Sequence, residues 1–271
     1  MKIKANWHRH LHEIRRSEIE TLFARCPEGL FARGLELGAG DGFQSTLLER
    51  HVRHLVCSDL NPNRWRRSAS SKIDRIVCDA EAVGATFRQD AFDLVFSSSL
   101  LEHLPRPERA LRGIHRVLRD GGLSIHLLPN PLWKMSHLML HNPNRLVSAL
   151  ERRARGTIPS LREEPWDAPR GNNLKLPLRV PTRRWLPVPH GVSSTNLKEF
   201  RAFSRRTWRK TFERAGFEVL AILRGPVCSG YGFGFDRARR TLERLKLSSV
   251  NAFIAIKFSK PSPHASYFLP R

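Results

Sequence analysis

The chain has 271 residues, of which 40% are hydrophobic, and a mean hydropathy of −0.41. That length can bury one full core, with or without an insertion, and the composition excludes a disordered or membrane-embedded chain. No run approaches the ~18–20 apolar residues of a membrane-spanning helix, and the net charge of +22 calls for an anionic partner unless it reflects arginine-rich base bias alone.

The N-terminus, MKIKANWHRHLHEIRR, is basic but has no apolar stretch after it, which argues against a secretory signal. Glu13, Glu18 and Glu20 argue against an organellar transit peptide. Leu11, Ile14, Ile19, Leu22 and Phe23 instead fall at helical spacing, which predicts an amphipathic helix over 7–26. Cys26, Cys57, Cys78 and Cys228 include no C-x-x-C pair, so no metal site is expected and a reducing, cytoplasmic compartment fits best.

Short apolar strands follow at Gly34–Leu37, His54–Ser58, Ile73–Cys78, Phe92–Ser97 and Leu123–Leu128. Helices are predicted over Thr46–Arg50 and Pro107–Arg119, the second stopped by Asp120–Gly121–Gly122. Strands alternating with helices predict a doubly wound α/β fold with a mostly parallel sheet, buried on both faces. From 130 to 196 the rhythm is lost among prolines, arginines and tryptophans, which reads as a lid insertion. A helix at Leu197–Ala215, a strand at Phe217–Leu223, a helix at Phe235–Leu245 and a strand at Val250–Phe258 close the fold. The expected organisation is thus 1–129 for the ligand-binding half, 130–196 for the lid, 197–258 for the closing elements and 259–271 for a loose tail.

The chemistry is concentrated in LELGAGDG. Glu36 ends a strand, and Gly38, Gly40 and Gly42 open a turn where side chains would block backbone approach to a nucleoside. A dinucleotide fingerprint would need glycine at 43, where Phe43 stands. Asp59 ends the next strand, 23 residues after Glu36, and Asp79 ends the third. The run FDLVFSSSLLEHLPRPERALRGIHRVLRDGGLSIHLLP spans the fourth and fifth strands.

Together these motifs, covering about residues 30–130, resemble the class I methyltransferases that use S-adenosylmethionine, in particular the ubiquinone/menaquinone-type small-molecule enzymes (methyltransferase type 11). The resemblance implies a Rossmann-like, seven-stranded sheet whose last strand is antiparallel, and S-adenosylmethionine as the cofactor. It implies that Glu36 holds the cofactor's amino-acid end, that Asp59 accepts the ribose hydroxyls and that Asp79 borders the adenine. Gly38, Ala39, Gly40, Asp41 and Gly42 would form the binding loop, with Leu60, Ala80, Glu81 and Ser97 completing the set. Structural alternatives stand beside these roles: a tight turn for the glycines, caps for Asp59 and Asp79, and solvent for Asp41.

The acceptor is expected outside the carboxyl ends of the strands, near Ser97–Ser99 and Pro129–Asn130, beneath the lid. Histidine is the natural base for a hydroxyl acceptor at neutral pH. His103 in LEHL and His190 in VPHGVSS are the candidates; His126 reads as a satisfied strand histidine. The chain lacks the [ND]-P-P-[YF] signature of amino-directed nucleic-acid enzymes and a cysteine after strand four. A small-molecule, glycan or lipid-linked acceptor is therefore favoured over RNA, with a catalytically silent binding protein as the third reading. Arg152, Arg153, Arg155, Arg170, Arg179, Arg183 and Arg184, interleaved with Trp133, Trp166 and Trp185, suit peripheral contact with anionic membrane at the inner face, or stacked bases.

Overall fold

The computed structural model describes residues 7–65, 70–155, 186–228, 236–258 and 260–269. The first half runs α1 (Trp7–Leu22), β1 (Phe31–Leu37), α2 (Ser45–Leu48), β2 (Val52–Asp59), β3 (Ile73–Val77), α3 (Val83–Thr86) and β4 (Phe92–Ser98). The second runs α4 (Pro107–Val117), β5 (Leu118–Pro129), α5 (Pro131–Arg155), α6 (Asn196–Ala202), α7 (Arg205–Arg214), β6 (Phe217–Arg224), α8 (Asp236–Arg244) and β7 (Val250–Lys257).

The strands form one seven-stranded sheet in the order β3-β2-β1-β4-β5-β7-β6. The first five are mutually parallel, and β7 runs antiparallel between β5 and β6. Alternate residues divide the core in two. Leu35, Leu37, Val56 and Val95 meet α4 through Ala110, Leu111 and Ile114, and α7 through Trp208 and Phe212. Leu55, Cys57, Leu94 and Phe96 meet α1 through Ile19, Leu22 and Phe23. Burial on both faces explains why these strands read as continuous apolar runs.

Four expectations change. α4 stops at Val117, and Leu118 pairs at once with Phe92; Gly121, at φ +77°, lies in a bulge of β5 where the register shifts, not at a helix end. The helix expected over 197–215 is two, because the Ser204 hydroxyl accepts from the Thr207 amide and starts α7 afresh. The first part of the lid is helical: Asn130 Oδ1 accepts from Leu132 and Trp133, and Pro131 occupies the first turn of α5. The tail is packed, with Phe268 buried edge-on against Phe23 and Arg25 donating to the carbonyls of Ser266 and Leu269. The remaining prolines, arginines and tryptophans at 156–185, and the side chains of Arg152, Arg153 and Arg155, lie outside the described residues. No helix among the described residues is long and apolar enough to cross a membrane.

α5 is tied to α6 by a fully buried ion pair, Lys134 with Glu199. Removing one partner strands a charge in the interior and costs several kcal/mol, whereas replacing both by apolar groups is often neutral. Urea unfolding should therefore show Glu199→Leu destabilised by about 3–5 kcal/mol and the Lys134→Met/Glu199→Leu pair recovering most of it. Additive losses in the double variant would rule out this coupling.

Candidate active site

β1 and β4 are neighbours, but the chain leaves β1 toward β2 and β4 toward β5. The loops after their carboxyl ends diverge and leave a crevice there, the usual ligand position in such sheets. The loop after β1 is the glycine run. Gly38, Gly40 and Gly42 have φ of +71°, +60° and +80°, a left-handed backbone that side chains rarely adopt. The Ala39 amide donates to the Ser58 carbonyl at 2.9 Å, pinning the loop to the end of β2. A Cβ on Gly40 would meet only the far end of a flexible side chain, Arg64 Nη2, at a van der Waals distance of 3.8 Å.

Asp59, buried at the tip of β2, accepts from the Gly40 amide at 2.8 Å and the Asn61 amide at 2.9 Å. It therefore shapes the loop and keeps a lone pair on each oxygen for a ligand. Leu60, beside it, is 66% exposed. Asp79 is exposed and accepts from the Glu81 amide, starting the turn Ala80–Ala82. Glu81 turns away to Arg106, accepting from its amide at 2.8 Å and its guanidinium at 2.9 Å. The buried Ser97 hydroxyl is held by His126 Nδ1 at 2.7 Å, and Ser124 holds the other ring nitrogen at 2.7 Å. His126 is thus a satisfied core histidine, pushed down to about 3 by burial. Ser97 is accordingly committed to the core through its side chain.

Glu36 lies under the loop. It accepts from the Ser45 hydroxyl at 2.5 Å and is approached by the Cys57 thiol at 3.7 Å. Burial raises its pKa to about 7, against the opposing hydrogen bonds of Ser45 and Cys57 and the charge of Arg15.

α1 roofs the loop, an arrangement not foreseen from the sequence. His12 Nε2 meets Asp41 Oδ2 at 2.8 Å, and its ring stacks on Phe43 at 4.0 Å. Asp41 therefore faces α1, not open solvent. Arg15 reaches Glu18 at 2.9 Å and bonds the Ser98 hydroxyl at the end of β4. Glu18, 2% exposed, also accepts from Gln44 and Ser98, both at 3.1 Å. The available signal was Glu18 itself, a carboxylate four residues from both Ile14 and Leu22 on the apolar face.

On the other side of the crevice, Ser99 takes φ +50° and turns the chain sharply into the turn Leu101–His103. His103 and His190 do come together, with ring centroids 4.6 Å apart. Trp133 packs 4.5 Å from His190 and stacks on His137 at 5.0 Å. Gly191 is needed here for close approach: a Cβ would lie 2.6 Å from the Glu102 carbonyl. Burial, then the charges of His103, His137 and Lys134, pushes His190 down to about 2. Its imidazole is neutral at physiological pH, able to accept a hydrogen bond but a weak base.

Residues 35–126 match the methyltransferase domain family. That segment is a methyltransferase domain. Among curated proteins, this chain is 29% identical over 112 residues to 2-methyl-6-phytyl-1,4-hydroquinone methyltransferase 1 of Oryza sativa subsp. japonica, covering 38% of this chain and 33% of that one. It is 34% identical over 110 residues to malonyl-[acyl-carrier protein] O-methyltransferase of Geobacter sulfurreducens, covering 39% and 40%. The chain thus spans about a third of the first relative's length and two-fifths of the second's. In fold it is similar to an S-adenosylmethionine dependent methyltransferase from Mesorhizobium loti (TM-score 0.52, 19% identity, covering 90% and 100%). It is similar also to the [4+2]-cyclase SpnF (TM-score 0.51, 15% identity, covering 97% and 86%). The methyltransferase domain takes in the glycine loop, Asp59, Asp79 and His103, while His190 and the whole of α1 lie outside it.

The raised Glu36 gives this methyltransferase domain a pH signature. The native state holds a proton on Glu36 up to about pH 7, while the unfolded chain releases it near 4.5. Its contribution is complete below pH 4.5 and is lost as the pH rises to 7. Relative to wild type, Glu36→Gln should gain on the order of 3 kcal/mol across that window and nothing further above it. Urea unfolding of both proteins from pH 4.5 to 8 reads this directly; a difference independent of pH would contradict the raised value.

Proposed function

We propose that this chain is an S-adenosylmethionine-dependent methyltransferase acting on a small-molecule, glycan or lipid-linked acceptor. The observation that carries the reading is the glycine loop at the switch point of the sheet. It has three positive-φ glycines, its Gly40 amide is bonded to Asp59, and it lies within a methyltransferase domain. The curated relatives above act on small or carrier-linked acceptors by name, which supports the acceptor class.

The residues present fit the cofactor. Only the flexible end of Arg64 stands against the backbone at Gly40, which a ligand can displace, and the buried Glu36 would be ionised by an ammonium group brought beside it. Gly38, Ala39, Gly40, Asp41 and Gly42 would frame the site, Asp59 with Leu60 would take the ribose, and Asp79 with Ala80 would border the base. Bound S-adenosylmethionine supplies a methyl group on a sulfonium, already activated toward in-line attack. The protein then has to orient the acceptor and exclude water. His103 and His190 would face the acceptor's nucleophilic atom, and His103, its side chain 28% exposed, would offer a path for a proton outward. The segment 130–196 would cover the acceptor, with α5 and Trp133 as its inner wall.

RNA is the second reading, favoured by the net charge of +22. Retention on RNA that falls steeply with salt, with no retention on anionic liposomes, would favour it over a membrane-presented acceptor.

Calorimetric titration with S-adenosylmethionine tests the first premise. Wild type should bind, and Asp59→Ala should bind about 10- to 100-fold more weakly, the loss of charge-assisted hydrogen bonds. Folded wild type that does not bind would sink the reading; unchanged affinity in Asp59→Ala would remove its ribose role.

A further inference from the structure

Glu102, His103 and His190 each offer one ligand atom, and those atoms lie within 4.8 Å of one another. Glu102 and His103 sit on the turn after β4; His190 arrives from 88 residues away in sequence, carried by the segment before α6. A chance surface pairing would bring them together loosely. Here the approach is fixed from several sides. The Gly191 amide donates to Glu199 Oε1 at 2.5 Å, and Glu199 is itself locked to the buried Lys134. The backbone of Gly191 presses on the Glu102 carbonyl so closely that no side chain fits between them. Trp133 forms a wall behind the His190 ring. The Glu102 side chain has no exposed surface, whereas that of His103 is 28% exposed and His190 is half-buried, so the cluster is reached through the two imidazoles.

We propose that Glu102, His103 and His190 bind a divalent first-row transition-metal ion, zinc above all, at the acceptor side of the crevice. Two imidazoles and one carboxylate are a borderline donor set that suits zinc, manganese or iron(II) far better than magnesium or calcium, which take oxygen ligands. Three protein ligands leave coordination positions open, the arrangement of catalytic rather than structural sites. The nearby Lys134 charge opposes a cation, but its partner Glu199 neutralises it within the same bracket. The carboxylate from Glu102 leaves the bound ion with one residual positive charge, able to polarise an acceptor oxygen or fix an acceptor carboxylate. That role rests on the methyltransferase reading above; the site itself does not.

The test uses the full chain, tag-free, stripped with chelator and titrated with zinc chloride and, separately, magnesium chloride. Wild type should bind one zinc ion, with magnesium at least about a hundredfold weaker, following the donor set. His103→Asn and His190→Asn should each weaken zinc by about tenfold or more, while His141→Asn, on the same stretch of α5 as His137, should not. Near-ultraviolet circular dichroism checks that each variant is folded. Should the variants not fold, crystals of wild type soaked in zinc answer alone: anomalous scattering at the zinc edge should peak between Glu102, His103 and His190. No zinc bound by folded wild type, an anomalous peak elsewhere, or a loss that follows His141 and spares His103 and His190 would overturn the proposal. Parallel titration with S-adenosylmethionine separates the two readings, since failure there with zinc still bound removes the methyltransferase and leaves the metal site standing.

Discussion

Strands β1 and β4 run side by side and parallel, and the chain leaves them toward opposite edges of the sheet. Two loops that part in this way cannot fill the space between them, and the groups at the two strand ends are left facing a gap. The glycine run stays clear of that gap because its backbone turns left-handed and the Ala39 amide ties it to Ser58. The turn at Ser99, itself left-handed, sends the other loop away to His103. Glu36, Asp59 and Ser98 lie at that edge because each sits in the last two residues of a strand that the core holds in register.

The same constraint explains the buried polar chemistry. Strand ends at the centre of a sheet carry groups that cannot all reach water, so partners must come from elsewhere. α1 supplies Arg15 and Glu18 to Ser98 and Gln44, and α6 supplies Glu199 to Gly191 and Lys134. These partners lie on elements outside the methyltransferase domain segment, so the site is completed by the parts of the chain that segment does not include.

The sequence made the sheet legible because each central strand is a short apolar run ended by a polar residue, glycine or proline, a local signal that needs no partner to be seen. The glycine loop and Asp59 were legible for the same reason. What escaped was long-range. His103 and His190 could be named singly, but their meeting depends on the Gly191–Glu102 contact, and Glu102 gives no sign in sequence that it joins them. The α1 roof was hidden because a helix with polar residues on its inner face reads as ordinary amphipathicity until the helix is docked. α5 was missed where prolines dominated the reading: Asn130–Pro131 is a helix start, and Pro143 lies within the helix without ending it. Ser97 and Glu81 point elsewhere because closer partners, His126 and Arg106, claim them.

α1 is held differently at its two ends. Beyond its last turn, Phe23 is wedged against Phe268, and Arg25 grips the carbonyls of Ser266 and Leu269, so the far end of the chain serves as an anchor. At the other end the hold is polar and partly wetted: the His12 and Asp41 side chains are each 18% exposed. One end of α1 is thus held by packing against residues 264–269 and the part over the glycine loop by bonds that water can reach, so the two holds respond to different conditions: salt and pH act on the second and leave the first alone.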